Sequence, residues 1–254
     1  METLHRKIAQ KLLTLESSDS YKEDFSIEGD AETAKRIRRF IKECPHKFVI
    51  GCVMDKQMEY TKAWKIPDSI EEHLGGFELE MLLDREDKIR RLFKKENLHR
   101  HPTKAADEMM DALKRIKNVY DGDASRIWCL PQPAERIRRN FAGFKGVGQK
   151  ISNMAVKILE QQPDMRLAGK DLIDISVDVH VRRVFGRTGL VEGSSSAPGY
   201  DQRIIDKAYE LNPDYPAALD TPVWHVGRKY CRAKKPLCNA CPLDSLCVKK
   251  GAGA

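Results

Sequence analysis

Four cysteines fall within seventeen residues near the end of the chain, in the order Cys231-x6-Cys238-x2-Cys241-x5-Cys247. Thiolates gathered at such spacing hold metal, and two kinds of centre accept four of them: tetrahedral zinc and an iron-sulfur cluster. Zinc sites usually bring two close pairs together across a longer loop. Only Cys238 and Cys241 form a close pair here, so the spacing favours a cluster and leaves zinc as the alternative. Cys44, Cys52 and Cys129 are scattered and read as small buried apolar residues. Seven cysteines, an odd number, with no basic, apolar and small-residue leader at the start, point away from a disulfide framework and toward a cytoplasmic protein.

A second group is Phe144-Lys145-Gly146-Val147-Gly148-Gln149-Lys150-Ile151-Ser152, which leads into a helical stretch. Two glycines two residues apart, just before a helix, let the backbone turn tightly and direct its unpaired N–H groups outward. A phosphate can sit on those donors and on the helix dipole, although the bare pattern is also that of an ordinary turn. Further along, Asp178 precedes Val179-His180-Val181-Arg182-Arg183-Val184, where it either does chemistry or caps the helix beginning at Val179.

Taken in order, G-V-G-Q-K at 146–150, the segment 177–184 and the four-cysteine tail resemble the endonuclease III family of helix-hairpin-helix (HhH-GPD) DNA glycosylases with a C-terminal iron-sulfur loop. The likeness runs from about Pro45 to Cys247 and is most specific in its C-terminal half. It implies a [4Fe-4S] cluster on Cys231, Cys238, Cys241 and Cys247, and a hairpin of Lys145, Gly146, Gly148 and Gln149 on the DNA backbone. It further implies Lys150 as the amine that attacks the sugar and Asp178 as the assisting carboxylate. A base inside a duplex is out of reach and must be extruded, and the resemblance implies that Gln57, at the end of the segment Phe48–Gln57, fills the gap or meets the orphaned base. Asp55 and Glu59 depart from the small and polar residues usual there. The loop Leu98-His99-Arg100-His101 offers a second wedge.

The chemistry stands apart from the family name. Attack on C1′ of a deoxynucleotide needs an unprotonated amine, which desolvation and neighbouring cations such as Lys145 and Arg139 are expected to favour. Loss of the base leaves a Schiff base from which the 3′ phosphate can be eliminated, while Asp178 stabilises positive charge on the sugar and helps move protons. The plainer roles are a phosphate-facing surface lysine at 150 and an ordinary helix-end glutamine at 57. The expectation is a base-excision-repair glycosylase with AP-lyase activity on double-stranded DNA carrying a damaged or mismatched base. Two alternatives stay open: a monofunctional glycosylase whose water is activated by Asp178, and a non-catalytic iron-sulfur DNA-binding protein.

The elements that must position these residues read as helices. Apolar residues recur at three- and four-residue steps over 31–43, 77–95, 104–120, 152–161 and 203–210, and 173–177 reads as a lead into the next helix. Breaks fall at 16–30, 128–133, 162–174 and 189–200. The expected fold is therefore all-α and two-lobed. A helical barrel lobe with the hairpin spans 45–165, and 1–44 joins 166–254 in a lobe that carries the cluster loop at 231–247, with Lys150 and Asp178 facing a cleft. Trp64, Trp128 and Trp224 are expected in the core.

In 254 residues, 41% apolar content is too much for a disordered tail, and 33% charged content is too polar for a membrane protein. The net charge of +7 is concentrated: 228–254 carries +6, and 135–150 holds five cations against one acid. Arg182, Arg183, Arg232, Lys234 and Lys235 are the cations expected to approach phosphates, unless they are simply solvated. A cluster among them would be structural, and the protein a monomer associated with the nucleoid through DNA.

Overall fold

The computed structural model describes residues 3–17, 30–129 and 131–251. Its regular structure consists of α1 (Leu4–Ser17), α2 (Asp30–Glu43), α3 (Pro45–Met54), α4 (Tyr60–Ala63), α5 (Ile66–Leu74), α6 (Leu79–Asp84) and α7 (Glu86–Lys95). These are followed by α8 (Pro102–Val119), α9 (Ala134–Ala142), α10 (Gln149–Glu160), α11 (Val179–Thr188), α12 (Tyr200–Leu211) and α13 (Asp220–Lys229), with short 3-10 turns between. The described residues contain no strand, so the fold is all-α as expected. No helix among them is long and apolar enough to cross a membrane. The break expected at 16–30 lies outside the described residues from 18 to 29.

The chain forms two compact units, residues 27–166 and residues 1–26 with 167–254. In the first, α3 is the centre. Phe48, Val49, Ile50, Cys52, Val53 and Met54 are all at most 1% exposed, the mark of a helix apolar on every side and covered by neighbours. Pro45 opens it, since a proline at the first turn loses no helical hydrogen bond. Gly51 lets Trp64 lie against the helix, for a Cβ there would come within 2.4 Å of the indole ring. Phe48 meets Trp128 edge to face at 5.2 Å and Phe141 at 6.0 Å, so Trp64 and Trp128 are core aromatics. Because α2 packs on α3, it belongs with this unit.

The helix expected over 77–95 is instead two, α6 and α7. Arg85 breaks it (φ −107°, ψ 26°), and its guanidinium donates to the Leu74 carbonyl at 2.6 Å. Helix α10 begins three residues before the apolar pattern does, at Gln149.

In the second unit, α1, α11, α12 and α13 share a core that includes Ile8, Leu12, Val181, Phe185, Ile204 and Val226. The segment 173–177 runs without regular structure into α11, tied down by Ser176 N–H on Asp220 at 3.2 Å. Trp224 corrects the core expectation. It is half-buried, with Arg228 stacked 4.2 Å above its ring and His180 edge-on at 6.4 Å.

Candidate active site

Helix α9, the turn 143–148 and α10 form a helix-hairpin-helix. Apolar residues anchor the turn: Phe144 is 2% and Val147 8% exposed, and the Arg115 guanidinium lies 5.4 Å from the Phe144 ring. Lys145, Gly146 and Gly148 are left on the outside. Gly146 needs to be glycine on two counts: its φ is +78°, and a Cβ would meet Lys56 Nζ and Glu108 Oε1 at 2.3 Å. Gly148 precedes α10, no side chain caps that helix, and the space beside Gly148 is open.

Lys150 is the second residue of α10. Its Nζ donates to the Asp55 carbonyl at 3.3 Å and lies 3.6 Å from Asp55 Oδ1. The cations expected to favour its neutral form are engaged elsewhere. Lys145 pairs with Asp111 at 2.6 Å, and that carboxylate holds its pKa above the ordinary lysine value. Arg139 pairs with Glu135 at 2.7 Å. The expectation of activation by neighbouring cations is therefore corrected, because the nearest charge to Lys150 is negative.

Residues 55–57 reach three different parts of this unit. Asp55 holds Lys150. Lys56 forms an ion pair with the buried Glu108 of α8 at 2.7 Å and donates to the Gly146 carbonyl at 3.1 Å, fastening the hairpin from behind. Gln57, exposed and in the left-handed region at φ +56°, accepts from His101 Nε2 at 2.8 Å. His99 is 2% exposed, donates from Nε2 to the Lys56 carbonyl at 3.1 Å and accepts the His101 N–H at Nδ1. Those two bonds fix its tautomer, and burial lowers its pKa, so it is neutral at pH 7. The structure thus brings both candidate wedges, Gln57 and the 98–101 loop, into contact. Glu59 sits at the start of α4, accepting from Thr61 Oγ1 at 2.8 Å.

Asp178 lies in the other unit. Its Oδ1 accepts the His180 and Val181 N–H groups at 2.8 and 2.9 Å, so it caps α11. Arg182 is committed to Asp201, with Nε to Oδ1 at 2.6 Å. Arg183 donates to the Gly227 carbonyl at 2.8 Å and to the Cys231 carbonyl.

Cys231, Cys238, Cys241 and Cys247 line one cavity of about 30 Å³, with Arg187, Tyr230, Pro236, Asp244 and Lys249. Among the described residues no three His, Cys, Asp or Glu side chains are grouped to hold a metal ion. Four thiols lining one cavity are a donor set that a four-cornered iron-sulfur cluster and a tetrahedral zinc ion both accept. Arg187 Nη1 donates to Cys231 Sγ at 3.6 Å, and the Lys249 N–H to Cys247 Sγ at 3.3 Å. Burial pushes the Cys241 thiol up to about 11 and raises Cys247 as well, so a cationic core must displace protons to bind there. Arg232, Lys234 and Lys235 are exposed on this loop. Of the other cysteines Cys52 is buried and Cys44 half-buried, but Cys129 is exposed, which corrects its reading as a buried apolar residue.

Asp55 as the partner of Lys150, and Lys56, Glu108 and His99 as fasteners, were not foreseen as such. A departure from family type marked Asp55, and nothing in the local sequence marked Glu108.

This arrangement of helices around a hairpin is the helix-hairpin-helix glycosylase fold. It is shared with a solved trapped endonuclease III–DNA covalent intermediate (TM-score 0.59, 19% identity, 86% of this chain and 93% of that one). It is shared too with a thermostable thymine-DNA glycosylase (TM-score 0.62, 16% identity, 97% of each chain). In sequence the chain is 33% identical over 111 residues to endonuclease III of Rickettsia prowazekii, 43% of this chain and 45% of that protein. It is 25% identical over 167 residues to thymine-DNA glycosylase of Aeropyrum pernix, 65% of each. The chain thus spans about half to two thirds of the length of these relatives, and no protein-family model matches it. The fold is therefore that of the HhH-GPD glycosylases, and the similar sequences are endonuclease III and thymine-DNA glycosylase proteins.

Proposed function

We propose that the chain is a DNA glycosylase of base-excision repair that removes a damaged or mismatched base from double-stranded DNA, with AP-lyase activity through Lys150. One observation carries this reading: the Lys150 amine, its side chain one-third exposed, stands on the second residue of a helix whose uncapped start faces open space beside Gly148. A phosphate at that start would be held by backbone N–H groups and the helix dipole. Lys145, Gly146, Gly148 and Gln149 then hold the DNA backbone, and Lys150 lies within one turn of it.

The unprotonated amine attacks C1′, and the glycosidic electron pair leaves with the base. The nitrogen lone pair then breaks the C1′–O4′ bond, with a proton going to O4′, to give an iminium whose acidic C2′ proton is removed as the 3′ phosphate is expelled. Asp178 is the carboxylate that stabilises the cationic sugar. Gln57, with His101 bonded to it, occupies the gap left by the extruded nucleotide. Oxidised, mismatched or deaminated pyrimidines are the first bases to test.

The four cysteines of 231–247 hold a [4Fe-4S] cluster in this reading, and bound there it would brace the loop that presents Arg232, Lys234 and Lys235 to phosphates. The protein works as a monomer in the cytoplasm, on the nucleoid. Anaerobically purified protein should contain iron and acid-labile sulfide in equal amounts; one zinc per chain without sulfide would refute the cluster.

Borohydride trapping on an abasic duplex tests the main proposal. Wild type should give a covalent complex that Lys150→Gln loses by about 10³-fold or more. An undiminished complex removes Lys150 from the mechanism. The Asp55–Lys150 ion pair favours a second reading, in which the amine stays charged and Asp178 activates water. Base release without strand cleavage would support it.

A further inference from the structure

Lys150 meets two oxygens of one residue. Asp55 ends α3, presenting its carbonyl at 3.3 Å and its Oδ1 at 3.6 Å from Nζ. Its other carboxylate oxygen accepts the Trp64 indole N–H at 3.1 Å, which turns Oδ1 toward the amine. The Asp55 side chain is 8% exposed and that of Lys150 33%, so the carboxylate is the deep partner and the amine the outer one. The remaining titratable groups nearby leave the pair alone. The fully buried Cys52 thiol on α3 is pushed up by burial and is neutral at pH 7. Lys56 is matched by Glu108 of α8, and His99 is neutral.

We propose that Asp55 is the proton acceptor that converts Lys150 from ammonium to nucleophilic amine. In the free protein the amine, the outer member of the pair, is open to water, whereas the carboxylate behind it is buried. DNA over the hairpin excludes that water, and an ammonium and a carboxylate stripped of hydration are costly to keep apart as charges. Moving one proton from Nζ to Oδ1 breaks an N–H bond, forms an O–H bond, cancels both charges and leaves the lone pair on nitrogen. The trigger is therefore burial by the substrate, rather than repulsion by neighbouring cations. This inference rests on the glycosylase and lyase reading above and assigns it a further residue.

The test is the pH profile of borohydride trapping on an abasic duplex, with DNA affinity and thermal unfolding measured on the same samples. Asparagine at position 55 keeps an oxygen near the amine but takes no proton. Asp55→Asn should therefore trap about 10²-fold more slowly at pH 7, with the deficit shrinking as alkaline buffer deprotonates the amine. Equal trapping at every pH overturns the proposal, and so does a deficit independent of pH, which would mark a positioning role only. If Asp55→Asn fails to fold, Trp64→Phe carries the test, since it keeps the carboxylate but releases Oδ2. A smaller deficit that alkaline pH repairs supports the proposal, and a wild-type profile overturns it. Wild-type protein that traps no abasic DNA overturns the lyase reading and this inference with it, an outcome distinct from the others.

Discussion

Around the hairpin, cations end on carboxylates: Lys56 on Glu108, Lys145 on Asp111, Lys150 on Asp55 and Arg139 on Glu135. Around the cysteine cavity, Arg183 ends on the Gly227 and Cys231 carbonyls, and Arg187 on the Arg232 and Ala233 carbonyls and Cys231 Sγ. Burial lowers the pKa of Arg183, as it does for a guanidinium whose bonds are to neutral groups. The first region supplies its own counter-charges, so its geometry is set before any ligand arrives. The second pairs Lys249 with Asp244 at 2.7 Å but ends its two arginines on neutral carbonyls and the Cys231 thiol, so it gains from a group that is negative overall, as a [4Fe-4S] core with four thiolates would be.

Breaking a counter-charge in the first region gives the largest expected effect. Glu108 is 3% exposed, and Glu108→Gln leaves Lys56 facing a neutral amide, at a cost of about 3 kcal/mol in unfolding free energy by denaturant titration. A change below about 0.5 kcal/mol would mean that this pair does not hold the hairpin. Next comes Glu135, whose carboxylate is held down to about 2 from an ordinary 4.5, chiefly by its hydrogen bond from Arg138 and, despite opposing burial, by Arg139 as well. A depressed carboxylate stabilises the fold above its ordinary pKa, and that stability is lost as pH falls through the lowered value. Wild type should exceed Glu135→Gln by about 2 kcal/mol at pH 6, a margin that shrinks as pH drops from about 5 toward 2. The smallest effect sharpens the contrast between regions. Lys234→Ala and Lys235→Ala should each reduce the slope of log affinity for DNA against log salt by about 1. Lys145→Ala should reduce it by less, because Asp111 already competes for that cation; equal slopes would erase the distinction.

What could be read in the chain beforehand was what is local. The hairpin glycines, the start of α11 behind Asp178 and the spacing of four cysteines each lie within one short stretch, and each is found in one structural feature. The pairings across the fold could not be read that way. Asp55 and Lys150 are 95 residues apart, and Lys56 and Gly146 are 90 apart. Nothing in a single sequence tells which distant carboxylate a lysine will meet. That is why Lys145 and Arg139, near in sequence, were expected to act on Lys150, while Asp55, near in space, does so. The same holds for Gln57: its contact with His101 depends on a left-handed backbone that a glutamine seldom adopts, and no residue type announces it.

Three neighbouring residues, 55 to 57, each carry a different connection: the amine, the hairpin carbonyl and the wedge loop. Each contact can be altered separately by substitution, since each belongs to a different side chain. A change of length is another matter. One residue inserted or deleted in this tripeptide would put every connection out of register at once, so the length of this stretch ties together three contacts that its side chains make singly.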